Sequence, residues 1–263
     1  MTERSGESCR SMPSAAIRAV GMARSLATYY GPFWRGGRLA AFYRQFLAPG
    51  DLAFDLGSHV GNRVHAFRRL GAHVVAVEPQ PDFLTVLRLL YGRDTAVRIE
   101  PCGVAATPGV AKLHLSTRTP TVSSFAQSWI EDVRADDSFR RVRWDRVVPV
   151  ALITLDELIA RHGEPQFVKI DVEGYELEVL RGLSRGLAAL SFEYLPVAAG
   201  RAIACVDRLG DLGDYRFRRS RVETHRWADP TWLAPEAMIT ALRSLPDSRS
   251  GDVYAVRRDR RAE

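Results

Sequence analysis

The chain has 263 residues, 46% of them hydrophobic and 26% charged, the composition of an ordinary globular α/β protein with enough apolar residues for a full core. The formal charge is +6, and three widely scattered cysteines with no CxxC or Cys/His spacing suggest neither a disulfide framework nor a zinc site. No apolar run approaches the ~20 residues that span a bilayer.

The first 13 residues are polar. Residues 14–30 and 36–47 read as helices, separated by Gly31-Pro32 and broken at Gly36-Gly37. Together, residues 1–48 read as an N-terminal helical segment ahead of a catalytic domain at 49–258, with a tail at 259–263. The aromatics of "YYGPFWRGGRLAAFYRQFL" read as packing against that domain, with peripheral membrane contact as the alternative. The N-terminus has no continuous apolar core of a secretory signal, and a reducing cytoplasm is the expected location.

"LAFDL" (52–56) is an apolar strand running into a glycine-containing loop, followed by a helix at 62–70. "HVVAVE" (73–78) is a second strand, "PDFLTVLRLL" (81–90) a helix and "VRIE" (97–100) a third strand. This alternation predicts a parallel, doubly wound sheet whose strands are buried on both faces. "VAKLHL" (110–115) and "RVVPVALI" (146–153) predict a hairpin-like insertion. The polar and aromatic residues between them, 116–146, predict a lid or acceptor-binding loop. "TLDELIARH" (154–162) is a helix with Thr154 as N-cap and Glu157 completing a capping box. "FVKIDVEGYELEVLRGL" (167–183) is a strand leading into a helix. Strand 189–195, helix 197–210 ending at Gly210, strand 215–219, helix 235–245 and strand 252–258 complete the order. The expectation is a mostly parallel, seven-stranded, Rossmann-like α/β fold.

The loop "FDLGSHVGN" decides between ligands. A dinucleotide fingerprint starting at Gly57 needs glycines where His59 and Asn62 stand, and no Walker Gly-Lys-Ser/Thr follows. What remains is Asp55-x-Gly57-x-x-x-Gly61, which resembles the first loop of class I S-adenosylmethionine-dependent methyltransferases. Glycine there lets the backbone approach a bulky ligand. "FDLGSHVG", "AVEPQP", "TLDEL" and "VKIDVEGYELEVLRGL", in that order, look like the FkbM family of methyltransferases, over about residues 49–195. The resemblance implies S-adenosylmethionine as cofactor and a hydroxyl oxygen of a sugar, glycolipid or polyketide-type natural product as acceptor.

It also implies site residues. Asp55, Gly57, Ser58, His59 and Gly61 would form the cofactor loop, with Asp55 toward the methionine ammonium. Glu78, at a strand's carboxyl end, would accept from the ribose hydroxyls. Cys102 and Gly103 would line the adenine. Asp171 is the first candidate for general base or hydroxyl orienter, with His59 and Glu173 as rivals. Glu173 reads equally well as favourable charge at a helix N-terminus. A magnesium ion held by acids is the competing use of Asp171. Ser124, Trp129 and Glu193 are candidate acceptor contacts. Basic clusters at 216–221 and 257–261 come with no nucleic-acid motif, so nucleic acid is not expected as a partner. The competing functions are an RNA or protein methyltransferase, a non-catalytic cofactor-binding protein and a nicotinamide oxidoreductase.

Overall fold

A computed structural model of the protein describes residues 33–134, 136–221, 224–245 and 250–258. The expected helix at 14–30 and the tail lie outside these residues. Helix α1 spans Phe33–Tyr43, followed by β1 (Leu52–Leu56), α2 (Asn62–Arg69), β2 (His73–Val77), α3 (Pro81–Tyr91) and β3 (Val97–Glu100). After the insertion come α5 (Leu155–His162), β7 (Phe167–Ile170), α6 (Glu176–Arg181), β8 (Ala189–Tyr194), α7 (Ala199–Leu212), β9 (Tyr215–Arg221), α8 (Pro235–Arg243) and β10 (Gly251–Arg257). The seven-stranded sheet has the order β3-β2-β1-β7-β8-β10-β9, all parallel except β10, which runs against both neighbours.

The apolar runs of β1, β2 and β7 are continuous because each strand feeds two cores in alternation. Ala53, Val74 and Phe167 face one core, with α1 and α2 supplying Leu39, Tyr43, Val64 and Phe67. Phe54, Val75 and Val168 face the other, with Leu158 of α5, Leu180 of α6, Val206 of α7 and Met238 of α8. Each large side chain removed from water this way contributes about 1.5–3 kcal/mol. The first core is dense in rings: Phe46 stacks on Phe167 at 4.9 Å and Tyr43 meets Phe67 edge-on at 4.8 Å.

The insertion forms a second sheet. β5 (Gly109–Leu115) pairs antiparallel with β6 (Arg146–Ile153), and a two-residue strand, β4 (Gly103–Val104), adds to β6 in parallel. Helix α4 (Gln127–Val133) stands within the long connection between β5 and β6.

Four local expectations change. Gly36-Gly37 does not break a helix; α1 runs through it. Helix α7 passes Gly210 and ends at Leu212, with Gly213 as its C-cap. Residues 116–146 are not a bare loop: α4 buries Trp129, Ile130 and Val133 against Trp144, Tyr175 and Leu195, a small core of its own. Glu173 does not supply the charge at the start of the next helix. That helix begins at Glu176, whose Oε1 accepts from the backbone N–H of Val172 and Gly174 at 3.2 and 3.1 Å.

Candidate active site

β1 and β7 are adjacent, yet the chain leaves them in opposite directions across the sheet: β2 and β3 lie beyond β1, and β8 beyond β7. Loops at the carboxyl ends of such a pair diverge and leave a crevice between them. A cleft lies there, with about 520 Å³ of space including its open mouth. Leu56, Gly57 and His59 form one wall, Glu78 and Gln80 a second, Cys102, Gly103 and Val104 a third, and Asp171, Val172 and Glu173 a fourth.

Gly57 explains why the first wall can stand so close to the fourth. Its φ is 81°, and a Cβ there would collide with the Asp171 carbonyl oxygen. The backbone is therefore held where only glycine fits. Gly61, with φ 85°, precedes α2 as its N-cap. Ser58 is buried and its Oγ donates to the Asp55 carbonyl at 2.7 Å, tying the loop to its own strand.

Glu78 is buried on the cleft wall. Its Oε2 accepts from His59 N–H and its Oε1 from Gln80 N–H, each at 2.8 Å. Each carboxylate oxygen keeps a second lone pair for a ligand hydroxyl. Burial pushes its pKa up to about 7, despite those two backbone donors. Asp55 lies beneath the cleft rather than on its wall. It is buried, its Oδ2 has no hydrogen-bond partner, and burial pushes its pKa up to about 6 against the pull of Arg63 and Lys169. A buried acid left short of a partner is suited to a cationic ligand group.

His59 also has a left-handed backbone, φ 54°. Its ring packs on Phe83 at 4.5 Å, and Nε2 lies 3.1 Å from the Thr121 carbonyl oxygen. A carbonyl only accepts, so Nε2 carries the proton in this contact. Cys102 and Gly103 line the cleft as expected. Burial pushes the Cys102 thiol up to about 12, which makes it a wall rather than a nucleophile. Gly103 lies so close to Leu152 and Phe125 that a Cβ would overlap both.

Two acids line the fourth wall, and a third lies close by. Asp171, just beyond β7, has Oδ2 3.1 Å from Lys169 Nζ. Burial pushes Asp171 up, but Lys169, Arg63 and His59 outweigh it and hold the carboxyl below its usual range. Glu173 sits in a left-handed backbone, φ 53°. Burial, then the charges of Asp171 and Glu176, push its pKa well up. Glu193, at the end of β8, is also pushed well up, by burial and then by Glu173 and Asp171. Asp171, Glu173 and Glu193 each offer a carboxylate oxygen within 4.8 Å of the others. These are the residues that would hold a divalent cation, although acidic clusters also occur without one.

Two expected acceptor residues do other work. Ser124 is fully buried, donating to the Glu173 carbonyl at 2.6 Å and accepting from Ala126 N–H at 3.0 Å. Trp129 is buried over Gly174, where a Cβ would strike its ring. With Glu193 it borders a separate small hollow instead of the main cleft. The residues of 116–146 that do reach the cleft are Pro120, Thr121, Ser123 and Phe125, and Ser123 Oγ lies 3.0 Å from Gln80 Oε1. The sequence reading missed Gln80 and Thr121. Only the "AVEPQP" block hinted at the first.

The methyltransferase FkbM domain matches residues 55–204, spanning the first loop, Glu78, the acidic wall and β8. The chain belongs to the FkbM methyltransferase family. A relative, the hexuronic acid methyltransferase AglP of Haloferax volcanii, is 32% identical over 156 residues. That match spans 57% of this chain and 57% of the relative, so this FkbM chain matches little more than half the relative's length. Among solved structures, precorrin-6y C5,15-methyltransferase from Geobacter metallireducens aligns over 83% of this chain and 87% of its own, at 12% identity and a TM-score of 0.43. A SAM-dependent O-methyltransferase from Thermotoga maritima aligns over 85% and 65%, at 12% identity and a TM-score of 0.40. Likeness at those scores carries no functional weight; the FkbM assignment rests on the matched domain, and the fold on the sheet order. Among the described residues no helix is long and apolar enough to cross a membrane.

Proposed function

We propose that the protein transfers a methyl group from S-adenosylmethionine to a hydroxyl oxygen of a small-molecule acceptor, with a sugar or glycoside as the first class to test. The observation that carries this reading is the meeting of two features across one cleft. The glycine-permitted loop at Gly57 and the ribose-type acceptor Glu78 face an ionised carboxylate, Asp171. AglP's action on a hexuronic acid supports a sugar as acceptor.

The residues present suit the cofactor. The unpartnered Asp55 Oδ2 is placed for an ammonium, through water or after a small shift of the loop. Glu78 keeps a lone pair on each oxygen for ribose hydroxyls. Leu56, Val77, Val104 and Leu113 offer an apolar slot for adenine between the walls. When bound, the cofactor supplies a methyl carbon made electrophilic by a positive sulfur.

The acceptor side follows from chemistry. An alcohol oxygen would have to be held in line with that methyl carbon, and its hydroxyl proton would need an acceptor. Holding the two reactants in that line accounts for much of the rate, up to about 7–11 kcal/mol in the best intramolecular cases. Lys169 engages Asp171 Oδ2, which leaves Oδ1 to accept from the acceptor hydroxyl and orient it. Glu173, on the same wall, and His59, on the first wall, also line the cleft and are the rival proton acceptors. An alternative use of the wall, a divalent cation held by Asp171, Glu173 and Glu193, is favoured by their close spacing.

The test is transfer of labelled methyl from S-adenosylmethionine to a panel of sugars, sugar acids and glycosides, with and without a chelator. Labelled product identified by mass, formed with chelator present, supports the metal-free reading. Activity abolished by chelator and restored by magnesium assigns the three acids to a metal. Tight cofactor binding with no transfer to any acceptor rejects the enzymatic reading.

A further inference from the structure

Lys169 is fully buried, and its ammonium reaches three acceptors: Asp252 Oδ1 at 2.9 Å, Asp171 Oδ2 at 3.1 Å and the Ile170 carbonyl at 3.5 Å. Asp252 belongs to β10, 83 residues further along the chain and outside the matched 55–204. The strand register explains how they meet. Lys169 lies level with Ser191 of β8, and Ser191 level with Tyr254 of β10. Asp252 is two residues from Tyr254 along β10, on the same face, and level with Glu193. Lys169 therefore reaches across β8 and toward the carboxyl ends of the parallel strands. Ser191, buried midway, has the small side chain that leaves this path open.

We propose that Asp252 is a positioning residue for methyl transfer, fixing the Lys169 ammonium so that it holds Asp171 by Oδ2 and leaves Oδ1 toward the acceptor. This rests on the reading of Asp171 as the group that orients the acceptor hydroxyl. An ammonium carries three N–H donors and rotates freely about its last bond unless its acceptors pin it. With Asp171 alone, Lys169 can swing to either carboxylate oxygen. With Asp252 on its far side, one N–H is spent there at the shortest of the three distances and the ammonium has a single setting. Asp252 is itself buried, so solvent does not compete for that bond. The other charged groups around this point are Asp55, Arg63, Glu173, Glu176 and Glu193. None of them is among the three acceptors of Lys169; Asp55, Glu173 and Glu193 feel its charge directly, and Arg63 and Glu176 act on Asp171.

The sequence makes the test direct, because the chain holds only two lysines, Lys112 and Lys169. Lys112 is exposed. Labelling with ¹⁵N-lysine therefore gives two side-chain ammonium signals. A pinned, buried ammonium exchanges its protons slowly with water and an exposed one quickly. In the wild-type protein one protected ammonium signal is expected. In Asp252→Asn that signal loses protection, kcat falls roughly tenfold to a hundredfold, and acceptor KM and cofactor Kd stay within about twofold. A merely structural Asp252 would lower thermal stability and leave kcat unmoved in the folded variant, and that result overturns the proposal. A wild-type Lys169 ammonium exchanging as fast as Lys112's also overturns it, and needs no variant to fold. If no acceptor is ever methylated, the functional reading fails separately. The protection change between wild type and Asp252→Asn then still decides whether Asp252 fixes the ammonium.

Discussion

At the scale of single residues, the cleft is defined by acids with opposite settings. Asp171 is held ionised, while Glu78 and Asp55 are pushed up to about 7 and about 6, in both cases chiefly by burial. Ribose hydroxyls and an ammonium both favour the charged acids. Cofactor affinity is therefore expected to rise as pH climbs through about 6 to 7, with protons released on binding below that window. Calorimetric titration at pH 6 in two buffers of different ionisation heat measures this release; equal heats in both would contradict it. Glu78→Gln keeps the shape but turns an amide N–H toward one of the two backbone donors at His59 and Gln80. Its cofactor affinity is expected to fall by about 1.5–3 kcal/mol, read as a change in Kd. Gly57→Ala adds a Cβ against the Asp171 carbonyl at a positive φ. A loss of about 1–3 kcal/mol in folding free energy by denaturant titration is expected, with weaker cofactor binding alongside.

At the scale of elements, local signals were legible where a segment obeys its own chemistry. Thr154 and Glu157 form the capping box read from "TLDEL": Glu157 N–H donates to Thr154 Oγ1 at 3.0 Å and Thr154 N–H donates to Glu157 Oε2 at 2.8 Å. Thr154→Ala is expected to cost about 1 kcal/mol in chemical denaturation. The strands of the parallel sheet were legible for the same reason, since burial on two faces leaves an unbroken apolar run. Helix α4 was not. It is seven residues long with no side-chain cap, and it is stable because Trp129 packs under it onto Gly174, a contact with no trace in local sequence. Trp129 and Ser124 looked like ligand contacts because an aromatic and a hydroxyl in a long loop suit either role. Their burial decides for packing. Trp129→Ala should cost about 3–5 kcal/mol if the small core around α4 unfolds with the rest. A loss of protease resistance confined to 116–146 would show that it unfolds on its own.

At the scale of the molecule, the polar groups placed in the interior set how stability responds to conditions. Glu78 and Asp55 have native pKa values raised above their ordinary 4.5 and 3.8. The unfolded chain therefore ionises first. Their contribution to the ligand-free fold is fully present below about pH 4 and is lost as pH rises through 6 to 7. Thermal melts of the ligand-free protein at fixed ionic strength should show this decline, and saturating cofactor should reverse it. At a hundred times Kd the ligand alone adds about 2.7 kcal/mol. A ligand-free melting curve that climbs from pH 5 to 7.5 would count against both assignments. What the sequence could not show at this scale is the pairing of Lys169 with Asp252. Two motifs can be read in one stretch each, but a contact across a strand between residues far apart exists only in the assembled sheet.

That assembled sheet has a consequence for how the protein is made. β10 is the last described strand to leave the ribosome, yet its place is between β8 and β9, not at an edge. Until it emerges, both of those strands present unpaired backbone toward an empty slot, a template for wrong partners. The anchor of Lys169 is missing for the same interval. The acidic wall therefore matures last, after every residue matched to the family has already been synthesised.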